Sequence, residues 1–163
     1  MAAELPLTFR ETARDTDPAV IRSIVLQTGF FSDAEVDIAV ELADERLAHG
    51  DASGYHFVFA DRGRDTIGYT CYGEIPCTVG SYDLYWIAVA TAEHRHGVGR
   101  MLLERTEARI REAGGRILFI ETSGREMYVP THRFYERCGF ALDVRVRDFY
   151  APGDDKLVFA KRY

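Results

Sequence analysis

Hydrophobic and polar positions change period several times along this chain, and each change marks an element. Leu7-Thr8-Phe9-Arg10-Glu11-Thr12 alternates with period two and predicts a strand. Asp17-Pro18 reads as an N-cap followed by proline at the first helical position. Val20, Ile21, Ile24, Val25 and Thr28 then recur at helical spacing until Gly29. Ser32-Asp33-Ala34-Glu35 is a capping box, so a second helix starts at once, with Val36, Ala39, Val40, Ala43 and Leu47 on one face and Gly50 at its end. The aromatic pair Phe30-Phe31 sits in the short turn between the two helices. Residues 55–60 and 66–74 form a predicted hairpin around Arg62-Gly63-Arg64-Asp65. Residues 82–89 are nearly all apolar from Leu84 onward and predict a central strand covered on both faces. The clearest helix is 97–113, where Leu102, Leu103, Thr106, Ile110 and Ala113 share a face and Gly114-Gly115 supplies the stop. A buried strand at 116–122, a short helix at 130–138 and an antiparallel pair at 143–149 and 157–162 complete the chain.

The resulting order is β-α-α-β-β-β-α-β-α-β-β. Strand 82–89, helix 97–113 and strand 116–122 form one crossover, so that pair is expected to be parallel with a right-handed connection. The rest is expected to be mostly antiparallel. At 163 residues the chain fits a single domain, 1–163, with no linker, repeat or low-complexity tract. No apolar run reaches the ~20 residues of a membrane span, and the first residues lack the basic and apolar regions of a signal peptide. A cytoplasmic protein without a membrane partner is expected. The formal net charge of -6 carries no basic stripe, which argues against a nucleic-acid partner. Cys71, Cys77 and Cys138 fit no zinc or haem spacing and are expected as buried small hydrophobes. His56, His94, His96 and His132 likewise form no ligand motif, so no metal is expected.

The informative segment is Val89-Ala90-Thr91-Ala92-Glu93-His94-Arg95-His96-Gly97-Val98-Gly99-Arg100. It leaves the central strand and enters a helix through two glycines. The first amides of a helix lack intrahelical acceptors and lie at the positive end of its dipole. Such an end binds phosphate when no side chain blocks it. Gly97 and Gly99 remove that block, and Arg95, His96 and Arg100 add basic groups beside it. The loop therefore reads as a pyrophosphate cradle. A dinucleotide fingerprint is excluded because Leu102 stands at its third glycine, and the Gly-Lys-Ser/Thr of a Walker loop is absent.

Residues 84–140 resemble the GNAT superfamily of acyl-CoA-dependent N-acetyltransferases. Their loop, Q/R-x-x-G-x-G/A, is matched by His94-Arg95-His96-Gly97-Val98-Gly99, with His94 departing from Gln or Arg. Their tyrosine signature is matched by Phe134-Tyr135-Glu136-Arg137-Cys138-Gly139-Phe140. The family's Asn before that helix is not evident; Tyr128 or Thr131 stands near its place. The resemblance implies an α/β (α+β) fold with a mixed, mostly antiparallel sheet, a central parallel pair and helices on both faces. It implies acetyl-CoA in a V-shaped gap between strands 82–89 and 116–122. Backbone groups of Ile87, Ala88 and Val89 would hold the pantetheine, and amides of Arg95 to Arg100 the diphosphate. An amine would attack the thioester directly in a ternary complex. The Val89 amide would stabilise the oxyanion and Tyr135 would protonate the leaving thiolate. Asp83 stands where some members carry a Glu base, and Glu121 is the second candidate; a water chain is the third.

The fold would build its acceptor pocket from the first helices, the central strands and the last hairpin. Phe30, Phe31, Tyr72, Tyr82, Tyr85, Trp86, Tyr128 and Tyr150, with Glu74, Asp83, Glu121, Asp148 and Asp154-Asp155, suit a cationic amine. The turn around Asp148 to Lys156 either caps that pocket or is a tight hairpin. A small primary amine is the expected acceptor. A non-catalytic acyl-CoA sensor and a protein N-terminal or lysine acetyltransferase are the alternatives. The exposed final strands are of a kind that pairs between subunits, which leaves a homodimer open.

Overall fold

The computed structural model describes residues 5–163. The elements follow the expected order: β1 (Leu7–Arg10), α1 (Asp17–Thr28), α2 (Asp33–His49), β2 (His56–Arg62), β3 (Asp65–Glu74), β4 (Ser81–Val89), α3 (Val98–Glu112), β5 (Ile117–Ser123), α4 (Val129–Arg137), β6 (Ala141–Ala151) and β7 (Asp154–Arg162). The strand order is β1-β2-β3-β4-β5-β7-β6. β4 and β5 are parallel, with Ser81 opposite Ile117 and Leu84 opposite Ile120. The pairs β1/β2, β2/β3, β5/β7 and β6/β7 are antiparallel. The chain divides into two compact units: one runs to Gly73 and resumes over Trp86–Arg109, the other holds Glu74–Tyr85 and Ile110–Tyr163.

In the first unit, Ile21, Ile24 and Val25 of α1 and Val36, Ala39 and Ala43 of α2 pack on Phe57, Phe59 and Tyr69 of the sheet. Phe57 and Phe59 lie two residues apart on one strand face and stack at 5.4 Å. The capping box forms as expected: Ser32 Oγ accepts from the Glu35 amide, and Glu35 accepts from the Ser32 amide. Asp17 differs from its expected role. It is the first helical residue, and Thr16 stands at the cap position without a side-chain bond. The Asp17 carboxylate instead accepts the Arg14 amide at 2.7 Å and both terminal nitrogens of Arg10, at 2.8 and 2.6 Å. Arg10 also donates to Asp61 at 2.8 Å and lies over the Phe59 ring. An N-cap would have spent that carboxylate on the helix amides; here it ties α1 to β1.

The second unit buries Tyr82, Leu84, Leu118, Ile120, Tyr135, Phe140, Leu157 and Phe159. Its final hairpin is longer than expected. Ala151 pairs with Asp154 across Pro152-Gly153, and the register shifts between Val146 and Ala151, so the strands close on the turn around a bulge. Asp148, with φ 53°, accepts the Gly153 amide at 2.6 Å, while the Asp148 amide donates to Asp155 at 2.9 Å. The segment is therefore a tight hairpin.

Two further expectations are corrected. Cys77 is exposed, because it occupies a left-handed position in the β3–β4 turn; Cys71 is buried and Cys138 half-buried. β4 is not covered on both faces: Tyr85 is exposed and Trp86, Ile87 and Val89 are half-buried. An apolar run reports side-chain type, and a strand that leaves its side chains open for a ligand reads the same as a covered one.

The buried Arg10 pair and the buried Tyr69 hydroxyl make opposite predictions. Arg10→Met leaves Asp17, 1% exposed, without its charge partner and leaves Asp61 with Arg14 alone, so urea unfolding is expected to show a loss of about 3–5 kcal/mol. The Tyr69 hydroxyl has no hydrogen-bond partner, so Tyr69→Phe is expected to be neutral or stabilising in the same assay.

Candidate active site

The glycine loop leaves β4 at Val89, passes a single 3-10 turn at Thr91–Glu93 and enters α3 at Val98. Its conformation is set by contacts within the first unit. The Ala90 amide donates to the Ile67 carbonyl at 2.8 Å. Gln27, in the last turn of α1, accepts from the Thr91 amide and hydroxyl at 3.4 and 3.2 Å. Arg62 of β2 makes a two-pronged pair with Glu93 at 3.0 and 2.8 Å and holds that carboxyl below its usual range. His94 Nε2 lies 2.9 Å from the Val89 carbonyl. Gln27 and Arg62 carried no motif, so sequence reading passed over them.

The two left-handed residues of the loop are Arg95 (φ 68°) and Gly97 (φ 77°). Such turns curl successive amides toward one point, which makes an anion cradle. Only glycine adopts the Gly97 conformation without strain, and a Cβ there would point into open space. The helical ladder starts where the Met101 amide donates to the Gly97 carbonyl. The amides of Val98 and Gly99 precede that first bond, at the positive end of the helix. No acidic residue occupies the first turn of α3, so nothing there opposes a bound anion. His94, Arg95 and His96 are exposed; Arg100 reaches back along the helix to Glu104 at 2.9 Å. The neighbouring strand accommodates the end of β4 closely: a Cβ on Gly68 would meet the Ala88 carbonyl at 3.1 Å and a Val89 methyl at 3.2 Å.

In the second unit, Tyr135 lies in α4 and is 5% exposed. Its ring packs on Phe134, Phe140 and Phe159. Burial pushes its phenol well above the ordinary value, so it remains a proton donor. α4 is fixed at both ends of this region. His132 meets the Ser123 carbonyl at 2.8 Å, and Lys161 donates to the Cys138 carbonyl at 2.9 Å.

Asp83 lies opposite Phe119, so it shares a sheet face with Glu121 two residues on. It is half-buried, and burial followed by repulsion from Glu121 raises its pKa, against an opposing pull from Lys156. Glu121 accepts from Lys156 Nζ at 2.9 Å, and that ammonium also sits 4.0 Å from the centre of the Phe149 ring. Lys156 was missed in the sequence because no motif distinguishes a cation that neutralises one acid and tunes another.

The expected acidic cluster divides on inspection. Glu74 accepts the Gly80 amide and holds the β3–β4 turn. Asp148 and Asp155 hold the last hairpin. Asp154 accepts from the Ser123 hydroxyl and pairs with Arg125. Of the six, Asp83 and Glu121 are the pair that share a sheet face across the parallel β4/β5 ladder. Of the expected aromatics, Phe31 and Trp86 meet edge-on at 4.8 Å in the first unit, and Tyr150 meets Phe149, which was not among them, at 5.0 Å in the second. No group of three or more potential metal ligands occurs among the described residues, and no helix among them is long and apolar enough to cross a membrane.

The sequence matches the family model for the acetyltransferase (GNAT) family over residues 21–140. A GNAT-family crystal structure from Desulfovibrio desulfuricans is 48% identical, with a TM-score of 0.95, over 96% of this chain and 99% of that one. The ribosomal-protein-S18-alanine N-acetyltransferase of Escherichia coli shares the fold at 19% identity and a TM-score of 0.75, over 96% and 94% of the chains. An aminoglycoside 6′-N-acetyltransferase complexed with coenzyme A does so at 14% and 0.74, over 95% and 96%. Among curated proteins, none matches the chain. With the tyrosine helix and the glycine loop both formed, the chain belongs to the GNAT family and is an acetyl-CoA-dependent acetyltransferase.

Proposed function

We propose that this protein transfers the acetyl group of acetyl-CoA to a primary amine of a small molecule by direct attack. The observation that carries the reading is Asp83: a half-buried carboxylate with a raised pKa, beside Glu121 and Lys156. Such a group accepts a proton near neutral pH better than an ordinary surface carboxylate does.

In this reading the amides of Arg95 to Arg100 hold the CoA diphosphate, and the backbone of Ile87, Ala88 and Val89 holds the pantetheine as an added strand. The acceptor ammonium gives a proton to Asp83, directly or through water. The neutral nitrogen then attacks the thioester carbon, and the oxygen of the tetrahedral adduct takes the Val89 N–H bond. Collapse breaks the carbon–sulfur bond, and the Tyr135 hydroxyl protonates the departing thiolate. The excess proton on the new amide nitrogen returns to Tyr135, and Asp83 gives its proton to solvent. Glu121, committed to Lys156, tunes Asp83 rather than acting as the base itself.

A thiol-release assay over a panel of small amines and of peptides with free N-termini or lysines tests the acceptor class. Release with small amines supports the reading. Release with peptides alone moves the acceptor to protein, and binding of acetyl-CoA with no release from any amine points to a sensor.

Tyr135→Phe is expected to lower kcat by roughly 10²- to 10³-fold while leaving the Kd for CoA within about twofold in calorimetry; an unchanged kcat removes Tyr135 from the chemistry. The kcat/KM profile is expected to rise with pH through the raised Asp83 pKa, because the base works in its deprotonated form. Glu121→Gln removes a repelling charge and moves that limb to lower pH. Lys156→Met removes an attracting charge and moves it to higher pH. Asp83→Asn abolishes the limb.

A further inference from the structure

We infer that His94 is a positioning residue that clamps the end of β4, and not a ligand of the CoA diphosphate. The inference rests on the acetyl-transfer reading for its kinetic consequence and on geometry alone for its structural part. The peptide between Val89 and Ala90 is held from both sides. Its N–H donates to the Ile67 carbonyl at 2.8 Å. Its carbonyl lies 2.9 Å from His94 Nε2. A carbonyl only accepts, so Nε2 carries the proton and donates. That holds for the imidazolium and for the neutral Nε2–H tautomer, so the clamp survives a change of charge on the ring.

A pinned peptide plane at the last residue of β4 restricts the torsions of Val89. The Val89 N–H, proposed to meet the oxyanion, lies one peptide earlier and inherits that restriction. Gly68 permits it, since a side chain there would press on Ala88 and Val89. The ring that makes the clamp has committed Nε2 to backbone. The neighbouring side chains are otherwise engaged: Glu93 pairs with Arg62, and His96 lies 3.6 Å from Glu93.

Two measurements on the full chain test this. The first is nitrogen NMR of the His94 ring at a pH where it is neutral, assigned by comparison with His94→Ala. The pattern of the Nε2–H tautomer is expected; the Nδ1–H tautomer overturns the clamp whether or not the protein has activity. The second compares His94→Ala and His94→Gln. In His94→Ala, kcat is expected to fall roughly 10- to 100-fold, with the Kd for CoA and its salt dependence changed by less than about threefold. His94→Gln, which keeps an N–H donor, is expected to recover most of kcat. A weakened, more weakly salt-dependent CoA affinity with kcat intact makes His94 a phosphate ligand and overturns the inference. Failure of the wild-type protein to acetylate any amine counts against the proposed function, while the tautomer still decides the clamp.

Discussion

The glycine loop has its shape because three elements of the first unit hold it before any ligand arrives. A run of polar, glycine-bearing residues at the end of a strand has little reason to adopt one conformation. Ile67 takes the Ala90 amide, Gln27 takes Thr91, and Arg62 takes Glu93 through two charge-assisted bonds. The left-handed turns at Arg95 and Gly97 then fall at a fixed place, directly before α3 begins. Donors held in place beforehand lose little entropy on binding an anion, which is what the proposed diphosphate site would draw on. The buried Arg10–Asp17–Asp61 network serves the same end further back: it ties α1, which carries Gln27, to β1 and β2.

In the second unit desolvation, rather than hydrogen bonding to a loop, sets the character of two oxygen acids. Tyr135 is buried among aromatic rings and so stays protonated. Asp83 is half-buried and feels one like charge and one opposite charge. Both are thereby pushed in the same direction, to pKa values above their ordinary ones. Lys156 limits how far Asp83 shifts while it is bonded to Glu121.

The parts legible in the sequence were those written in local periodicity. The capping box at Ser32–Glu35, the stripe of Leu102, Leu103, Thr106 and Ile110, and the parallel crossover all formed as read. The loop and the tyrosine motif were legible because a short spacing carries them. What stayed hidden depends on contacts distant along the chain. Asp17 looked like a cap until Arg10 claimed its carboxylate. The acidic residues looked like one cluster until backbone amides absorbed Glu74, Asp148 and Asp155. Cys77 looked like a core residue because composition says nothing of the left-handed turn it occupies.

The central claim is that backbone amides at the start of α3 anchor the diphosphate of CoA. Calorimetric titration with acetyl-CoA and with acetyl-pantetheine, which lacks the diphosphate, tests it most directly. In the wild-type protein acetyl-CoA is expected to bind at least roughly 100-fold more tightly. Gly97→Ala, which strains the left-handed turn by about 1–2 kcal/mol, is expected to remove roughly 5- to 30-fold of that difference and leave acetyl-pantetheine affinity unchanged. Equal affinity for the two thioesters in the wild-type protein would contradict the account.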